Sequence, residues 1–320
     1  MNLENVNPEK KIKILFMGTP DFAVPVLEGL IKNYKVVCVV TQPDKMVGRK
    51  MELKHPPIKI LADRYAILTL QPDKVKLIVD EIRQINPDLI VTCAYGQIIP
   101  KEILDIPRLG CINVHASLLP KLRGGAPIHR AIINGYTKTG ITIMYMNEKM
   151  DDGDIISQEE TPILESDTAS TLHDKLSIMG SKLLLETLPS IINGTNDRIK
   201  QNKEEVTYAF NIKREDEKID FSKTKRDVYN LIRGLNSHPG AYCLYEGKIL
   251  KVWDSYVTNN YFQNLFDGQI TNIYEDGFGV KVSNGEVVFT SVQLEGKNKM
   301  SAKEFLNGVD KIEFIGKVLD

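Results

Sequence analysis

The sequence predicts an α/β fold: an open, mainly parallel, Rossmann-like sheet, followed by a small β-barrel of OB-like character. Three observations carry that expectation. Short, continuously apolar runs alternate with helical patterns as far as residue 192. A polar, turn-rich and charged stretch then intervenes at 193–218. Beyond it, short apolar runs recur with turn signals between them. The expected organisation is a polar leader at 1–10, a catalytic domain at 11–192, a linker at 193–218 and a C-terminal barrel at 219–320. A chain of 320 residues has room for two such domains.

Ile12–Met17 reads as a buried strand ending in Gly18, and a helix follows from Pro20 or Asp21 to about Lys32. Val36–Thr41 and Leu89–Cys93 are continuously apolar, as strands covered on both faces are. Val75–Ile85 has helical spacing. Cys111–Val114 is a short strand and Ala126–Asn134 a helix. Ile141–Met146 and Ile155–Glu160 look like a hairpin around the segment Glu148–Asp154. A long helix, Thr168–Ile192, closes this half, with Ser166 or Asp167 as its expected cap. In the last third, strands are expected at Ile249–Trp253, Gln269–Ile273, Gly279–Val282 and Glu286–Thr290, and a helix at Ser301–Leu306. Ser283-Asn284-Gly285 between two alternating runs signals a hairpin. Trp253 is expected in the core.

Composition narrows the function classes. Apolar residues make up 42% and charged residues 26%, which is ordinary for a globular chain, and the net charge is −1. No overall field draws the molecule to nucleic acid or anionic lipid, so an RNA partner has to be held by local patches. The N-terminus is polar without a signal-peptide core, and no apolar run is long enough to span a bilayer. A monomer in the cytoplasm, with no membrane partner, is expected. The four cysteines are scattered without a CxxC pair, and His55, His129, His173 and His238 show no ligand spacing, so no metal is expected.

The chemistry-bearing segment is Asn113-Val114-His115-Ala116-Ser117-Leu118-Leu119-Pro120. Strand alternation puts Asn113 and His115 on one side of the chain, at the end where ligands gather in open α/β sheets. Met150-Asp151-Asp152-Gly153-Asp154 reads as a tight acidic loop. The set suits acyl transfer. An asparagine amide donates to a developing oxyanion, a histidine moves protons, and a carboxylate orients the ring. Taken singly, a histidine after a strand also fits a packed residue, and an aspartate in a turn also fits turn geometry.

These residues resemble the folate-dependent formyltransferase family, whose pattern is Asn-x-His, Ser-Leu-Leu-Pro, Arg-Gly-x-x-Pro and an Asp-x-Gly-Asp turn. The matches are Asn113, His115, Ser117-Leu118-Leu119-Pro120, Arg123-Gly124, Pro127, Asp151 and Gly153-Asp154. Phe16–Ala23, Thr41-Gln42-Pro43-Asp44 with Gly48-Arg49, and Asn236–Ala241 extend the likeness over nearly the whole chain. The resemblance implies 10-formyltetrahydrofolate as co-substrate, no metal, and methionine-charged initiator tRNA as acceptor. It implies that Asn113 holds the oxyanion, that His115 passes a proton toward the leaving folate nitrogen, and that Asp151 holds His115 and helps deprotonate the amine. Ser117, Leu118, Leu119 and Pro120 would line the folate pocket, with Tyr95, Gly96 and Gln97 reaching the pteridine. Lys45, Arg49 and Lys50 would contact the acceptor end of the tRNA.

That loop is thinner in charge than in many relatives, since Lys45, Arg49, Lys50 and Lys54 are offset by Asp44 and Glu52. The barrel is near charge balance as well. Two other readings stay open at this level: the same chemistry on an amino-sugar nucleotide or purine-pathway amine, and an RNA-binding protein without catalysis.

Overall fold

The computed structural model describes residues 12–48 and 51–320. The leader at 1–10 and the pair Arg49-Lys50 lie outside the described residues. The chain forms two compact units. One comprises the residues up to Pro127, Thr139–Thr161 and His173–Ala209; the other Ile128–Lys138, Pro162–Leu172 and Phe210–Asp320.

To Asn193 the chain runs β1 (Lys13–Gly18), α1 (Val24–Asn33), β2 (Lys35–Val40), β3 (Lys45–Val47), β4 (Glu52–Lys54), α2 (Pro57–Arg64), β5 (Thr69–Leu70), α3 (Val79–Ile85), β6 (Leu89–Cys93), α4 (Lys101–Leu104), β7 (Cys111–His115), α5 (Pro127–Ile133), β8 (Lys138–Tyr145), β9 (Ile155–Pro162) and α6 (Ala169–Asn193). A seven-stranded sheet has the order β5-β2-β1-β6-β7-β8-β9. Every neighbouring pair from β5 to β7 is parallel, and β8 runs antiparallel to β7. β6 is buried along its whole length, which is why its sequence is apolar without alternation. After β1 the chain builds outward to β2 and β5, then returns to lay β6 on the other side of β1. That reversal is a topological switch point, and the crevice at the strands' carboxyl ends is where such sheets bind ligands.

Several elements differ from expectation. The first helix opens with a 3-10 turn, Asp21–Ala23. The stretch after Thr41 holds the β3–β4 hairpin, α2 and the short strand β5 rather than a plain loop. The cap of α6 is Thr168, not Ser166 or Asp167. Its Oγ1 accepts the Thr171 N–H at 3.3 Å, and Thr171 Oγ1 accepts the Thr168 N–H at 2.9 Å. Asp167 instead accepts the Leu164 N–H at 2.7 Å.

The second unit contains α7 (Lys225–Gly234), β10 (Ala241–Tyr245), β11 (Lys248–Val257), β12 (Ile270–Ile273), β13 (Phe278–Val282), β14 (Gly285–Leu294), β15 (Met300–Ser301), α8 (Ala302–Leu306) and α9 (Lys311–Phe314). Its barrel-like antiparallel sheet has the order β10-β11-β14-β13-β12, with β15 on β14. The hairpin signal resolves as a Ser283-Asn284 loop closed by the pair Val282 and Gly285. Phe278, Phe289, Phe305 and Phe314 fill the core; Phe278 and Phe314 meet edge to face at 5.0 Å. Trp253 is only half-buried, with Lys251 and Lys299 ammoniums 5.4 and 5.5 Å from its ring. Thr224 and Asp227 cap α7 reciprocally, a T-x-x-D box that precedes a helix absent from the sequence expectation. Glu286 is wholly buried and accepts hydrogen bonds from Thr258, Thr271, Tyr274 and Asn260, so neutral donors replace its hydration.

All four cysteines are free and buried, and burial pushes the Cys38, Cys111 and Cys243 thiols up to about 12. No described helix is long and apolar enough to cross a membrane.

Candidate active site

β7 ends in the sequence Asn113-Val114-His115, and alternation sends Asn113 and His115 to the same face. Asn113 is half-buried beside Thr92 of β6, whose hydroxyl lies 2.8 Å from Asn113 Oδ1. With Oδ1 accepting from Thr92, the Asn113 Nδ2 hydrogens donate to no protein group among the described residues and remain available to an incoming oxygen.

His115 is buried. Its Nε2 lies 3.1 Å from the Leu122 carbonyl. A carbonyl only accepts, so Nε2 carries the proton of the neutral ring. Nδ1 is therefore the nitrogen that can gain or lose a proton, and it faces Asp151 Oδ1 at 3.7 Å. That separation is ion-pair range, longer than a hydrogen bond.

Asp151 sits in the β8–β9 connection with φ of 51°, left-handed for a non-glycine residue. Its Oδ2 accepts the Gly124 N–H at 2.8 Å. Gly153 leaves the loop room: a Cβ there would fall 1.8 Å from the Tyr145 carbonyl oxygen. Arg123 is 6% exposed, and its guanidinium donates to Asp152 Oδ1 at 2.5 Å and to Gln201 Oε1 at 2.7 and 3.0 Å.

The stretch read as a linker takes part in this site. Ile199 pairs with Ile155, Arg198 reaches Asp154 at 3.2 Å, and Gln201 donates to the Asp151 and Gly153 carbonyls. Thr207 and Ala209 exchange backbone hydrogen bonds with Arg123, and Thr207 Oγ1 accepts the Leu122 N–H. Residues 198–209 thus strap together the two loops carrying Leu122, Gly124 and Asp151.

The other expected contacts are placed as follows. Ser117 is fully buried and its hydroxyl donates to the Lys121 carbonyl at 2.6 Å. Leu119 packs with Met144 and Ile155, and its carbonyl accepts from Gln158. Leu118 and Pro120 are half-exposed. Tyr95 points its ring into the core, where burial pushes its phenol up to about 12, and its carbonyl accepts from Thr19 and Gln42. Gln97 is tied to the Val75 N–H, Asp73 and Gln42. At this turn Ala94 and Gly96 are the exposed residues, so a ligand there meets mainly backbone.

Lys45 lies on β3, opposite Lys54 of β4, and both are exposed. Met46 and Leu53, the next pair, are 52% and 57% exposed, an apolar surface flanked by charge. The hairpin is rooted at Asp44, which Gln71, Lys59 and His55 contact at 2.8, 2.6 and 2.8 Å. Hydrogen bonds from Gln71 and then Lys59 lower the Asp44 carboxyl to about 2. Arg49 and Lys50 lie outside the described residues.

Sequence reasoning did not anticipate Thr92, Leu122 or Gln201. Thr92 left a trace, as the one polar residue in the buried run Leu89–Cys93. Leu122 acts through its carbonyl, and Gln201 sits in a polar stretch without periodicity, so neither left one. No group of three His, Cys, Asp or Glu side chains among the described residues could hold a metal.

The family model "Formyl transferase" matches residues 10–188, and "Formyl transferase, C-terminal domain" matches 211–310. A methionyl-tRNA formyltransferase of Geobacillus sp. (strain WCH70) is 53% identical over 301 residues, covering 93% of this chain and 94% of the relative. Another, of Macrococcus caseolyticus (strain JCSC5402), is 47% identical over 306 residues, covering 95% and 97%. Among solved structures, the sugar 3N-formyl transferase WlaRD superposes with a TM-score of 0.66 at 24% identity, over 90% of this chain and 99% of that one. At that identity the likeness is one of fold.

Proposed function

Because the chain belongs to the formyl transferase family, we infer that it moves the formyl group of 10-formyltetrahydrofolate to the α-amine of methionine esterified to initiator tRNA, giving N-formylmethionyl-tRNA for translation initiation. The observation that carries this reading is identity of 47–53% with methionyl-tRNA formyltransferases over more than nine-tenths of both chains. The placement of Asn113 and His115 on one face at the carboxyl end of β7, with Asp151 3.7 Å from His115, supports it.

In the proposed mechanism the neutral amine attacks the formyl carbon, and the carbonyl oxygen becomes an oxyanion. Asn113 Nδ2 donates to that oxygen, its amide held by Thr92. Asp151, directly or through water, takes the proton that the amine nitrogen sheds. Asp151 passes that proton to His115 Nδ1, which delivers it to the folate nitrogen as the carbon–nitrogen bond breaks, while Leu122 keeps the ring oriented. One proton leaves the amine and one arrives at the folate nitrogen, so the site ends as it began. Leu118, Pro120 and the backbone of Ala94–Gly96 offer surface to the folate; Ser117, Leu119, Tyr95 and Gln97 shape it from beneath.

The β3–β4 hairpin is the proposed contact to the tRNA acceptor end. Paired Lys45 and Lys54 suit phosphates, and Met46 and Leu53 suit the faces of bases. Arg49 and Lys50 join this proposal by sequence. On this reading the protein works as a cytoplasmic monomer, built of a catalytic domain and a tRNA-binding barrel.

The test is single-turnover formylation with 10-formyltetrahydrofolate and methionine-charged initiator tRNA, wild type beside His115→Ala. Rapid product from wild type, collapsing in the variant while tRNA still binds, is expected. Formylation of an amino-sugar nucleotide in place of the tRNA would leave the chemistry standing and overturn the acceptor.

A further inference from the structure

We propose that Gln201 is a positioning residue for the formyl transfer, holding Asp151 in register with His115. The inference rests on the reading of Asp151 as the carboxylate of the site.

The geometry of the Gln201 amide is unusually constrained. Its Nε2 has two hydrogens, and two carbonyl oxygens stand 2.8 Å away, those of Asp151 and Gly153. Its Oε1 faces Arg123 Nη2 at 2.7 Å and Nε at 3.0 Å. Guanidinium groups only donate and carbonyls only accept, so the amide has a single orientation that satisfies all its partners. The third arm of Arg123 holds Asp152 Oδ1 at 2.5 Å. Three successive residues of the turn, 151 to 153, are therefore fixed from one side by one amide and one guanidinium.

That turn needs an external hold. Asp151 has a φ of 51°, a conformation an aspartate adopts only when its surroundings impose it. The Gly124 N–H fixes one carboxylate oxygen, but it leaves the backbone beneath the side chain free to rotate. Gln201 fixes that backbone. The remaining oxygen of Asp151 stands 3.7 Å from His115 Nδ1, where a small rotation of the turn changes whether a proton can be shared.

Gln201→Glu isolates the effect. The carboxylate keeps the length of the side chain and its hold on Arg123, but loses both hydrogens and sets an anion against two carbonyls. The expected result is a fall in kcat of about 10–100-fold, the scale set by small misplacements of a reacting group, with KM for folate and for charged tRNA within about twofold of wild type. The decisive comparison is the same change made in Asp151→Asn. If Gln201 acts through Asp151, Gln201→Glu causes no further loss in that background. Gln201→Met, which removes both polar atoms at the same length, is read in the same way and covers the case in which the glutamate does not fold, with thermal unfolding as the check. An equal further fall in the Asp151→Asn background, a rise in KM at constant kcat, or wild-type activity in both variants would each overturn the proposal. Wild-type activity in Asp151→Asn itself would overturn instead the reading of Asp151 on which it stands.

Discussion

The Gly124 N–H donates to Asp151 Oδ2 at 2.8 Å, and this bond leaves Asp151 Oδ1 to face His115. A glycine is required at that donor position. Its φ is 122°, and a Cβ would stand 2.7 Å from the Ala209 carbonyl oxygen, itself bound to the Ala126 N–H. Gly124→Ala is expected to cost about 1–3 kcal/mol of stability through backbone strain. It should also lower kcat more than it raises KM, because the loop it displaces carries the partner of Asp151. Urea unfolding and steady-state formylation measure the two effects; a variant as active and as stable as wild type contradicts this account.

Asn113→Ala removes the amide donor without touching His115 or Asp151. A fall in kcat of about 10²–10³-fold is expected, as for the loss of one oxyanion donor, with binding of charged tRNA unchanged. Asn113→Asp should be worse than Asn113→Ala, since it sets a negative charge where an oxyanion forms. Pre-steady-state formylation of the two variants side by side decides this by their order.

Arg123 and Lys are not interchangeable at this site. The guanidinium serves Asp152 and Gln201 through separate nitrogens while nearly excluded from water. Arg123→Lys supplies one compact ammonium to a forked set of acceptors and is expected to destabilise the chain by about 3 kcal/mol, the scale of a broken buried pair. Denaturant unfolding of the variant measures it, and a loss below about 1 kcal/mol would place the pair among ordinary surface contacts.

Asp44 gives a pH dependence with a definite sign. Its carboxyl is lowered to about 2 in the folded chain, against about 3.9 when unfolded. The stability it contributes is complete above the unfolded value and is lost as pH falls toward the folded one. The stability gap between wild type and Asp44→Asn should therefore be full at pH 5 and narrow steadily toward pH 2. A gap that widens on acidification is the contrary outcome.

The β3–β4 hairpin makes a prediction about salt. Lys45→Ala and Lys54→Ala should each flatten the dependence of log affinity for charged tRNA on log salt, by about 0.7–0.9 for each phosphate no longer neutralised. Formylation of charged tRNA at saturating concentration should be unaffected. Titrations across a range of salt concentrations test it, and an unchanged slope removes the hairpin from the RNA interface.

Much of the candidate site was legible because its side chains lie where local pattern puts them. The apolar strand Cys111–His115 and its alternation place Asn113 and His115 on one face, and the glycine-bearing acidic segment marks the Asp151 turn. The strands of the parallel sheet were legible for a similar reason: burial on both faces leaves an unbroken apolar run. Thr69–Leu70 pairs at the sheet's edge and is too short for any periodicity to emerge. The exposed β3–β4 hairpin carries no core-facing pattern to read. Gln201 and Leu122 escaped because they work through backbone carbonyls or across 50 residues of sequence, and neither demand shows in local composition.

The strap at 198–209 also bears on how the protein comes into being. A nascent chain that has emerged only as far as residue 192 already holds every strand of the parallel sheet, along with Asn113, His115 and Asp151. It does not yet hold Gln201, Thr207 or Ala209, which arrive after the long helix and must travel back to loops made far earlier. Closure over such a separation is slow compared with local folding. Under the proposed role of Gln201, full competence for chemistry is acquired late in synthesis, after the strands that house it.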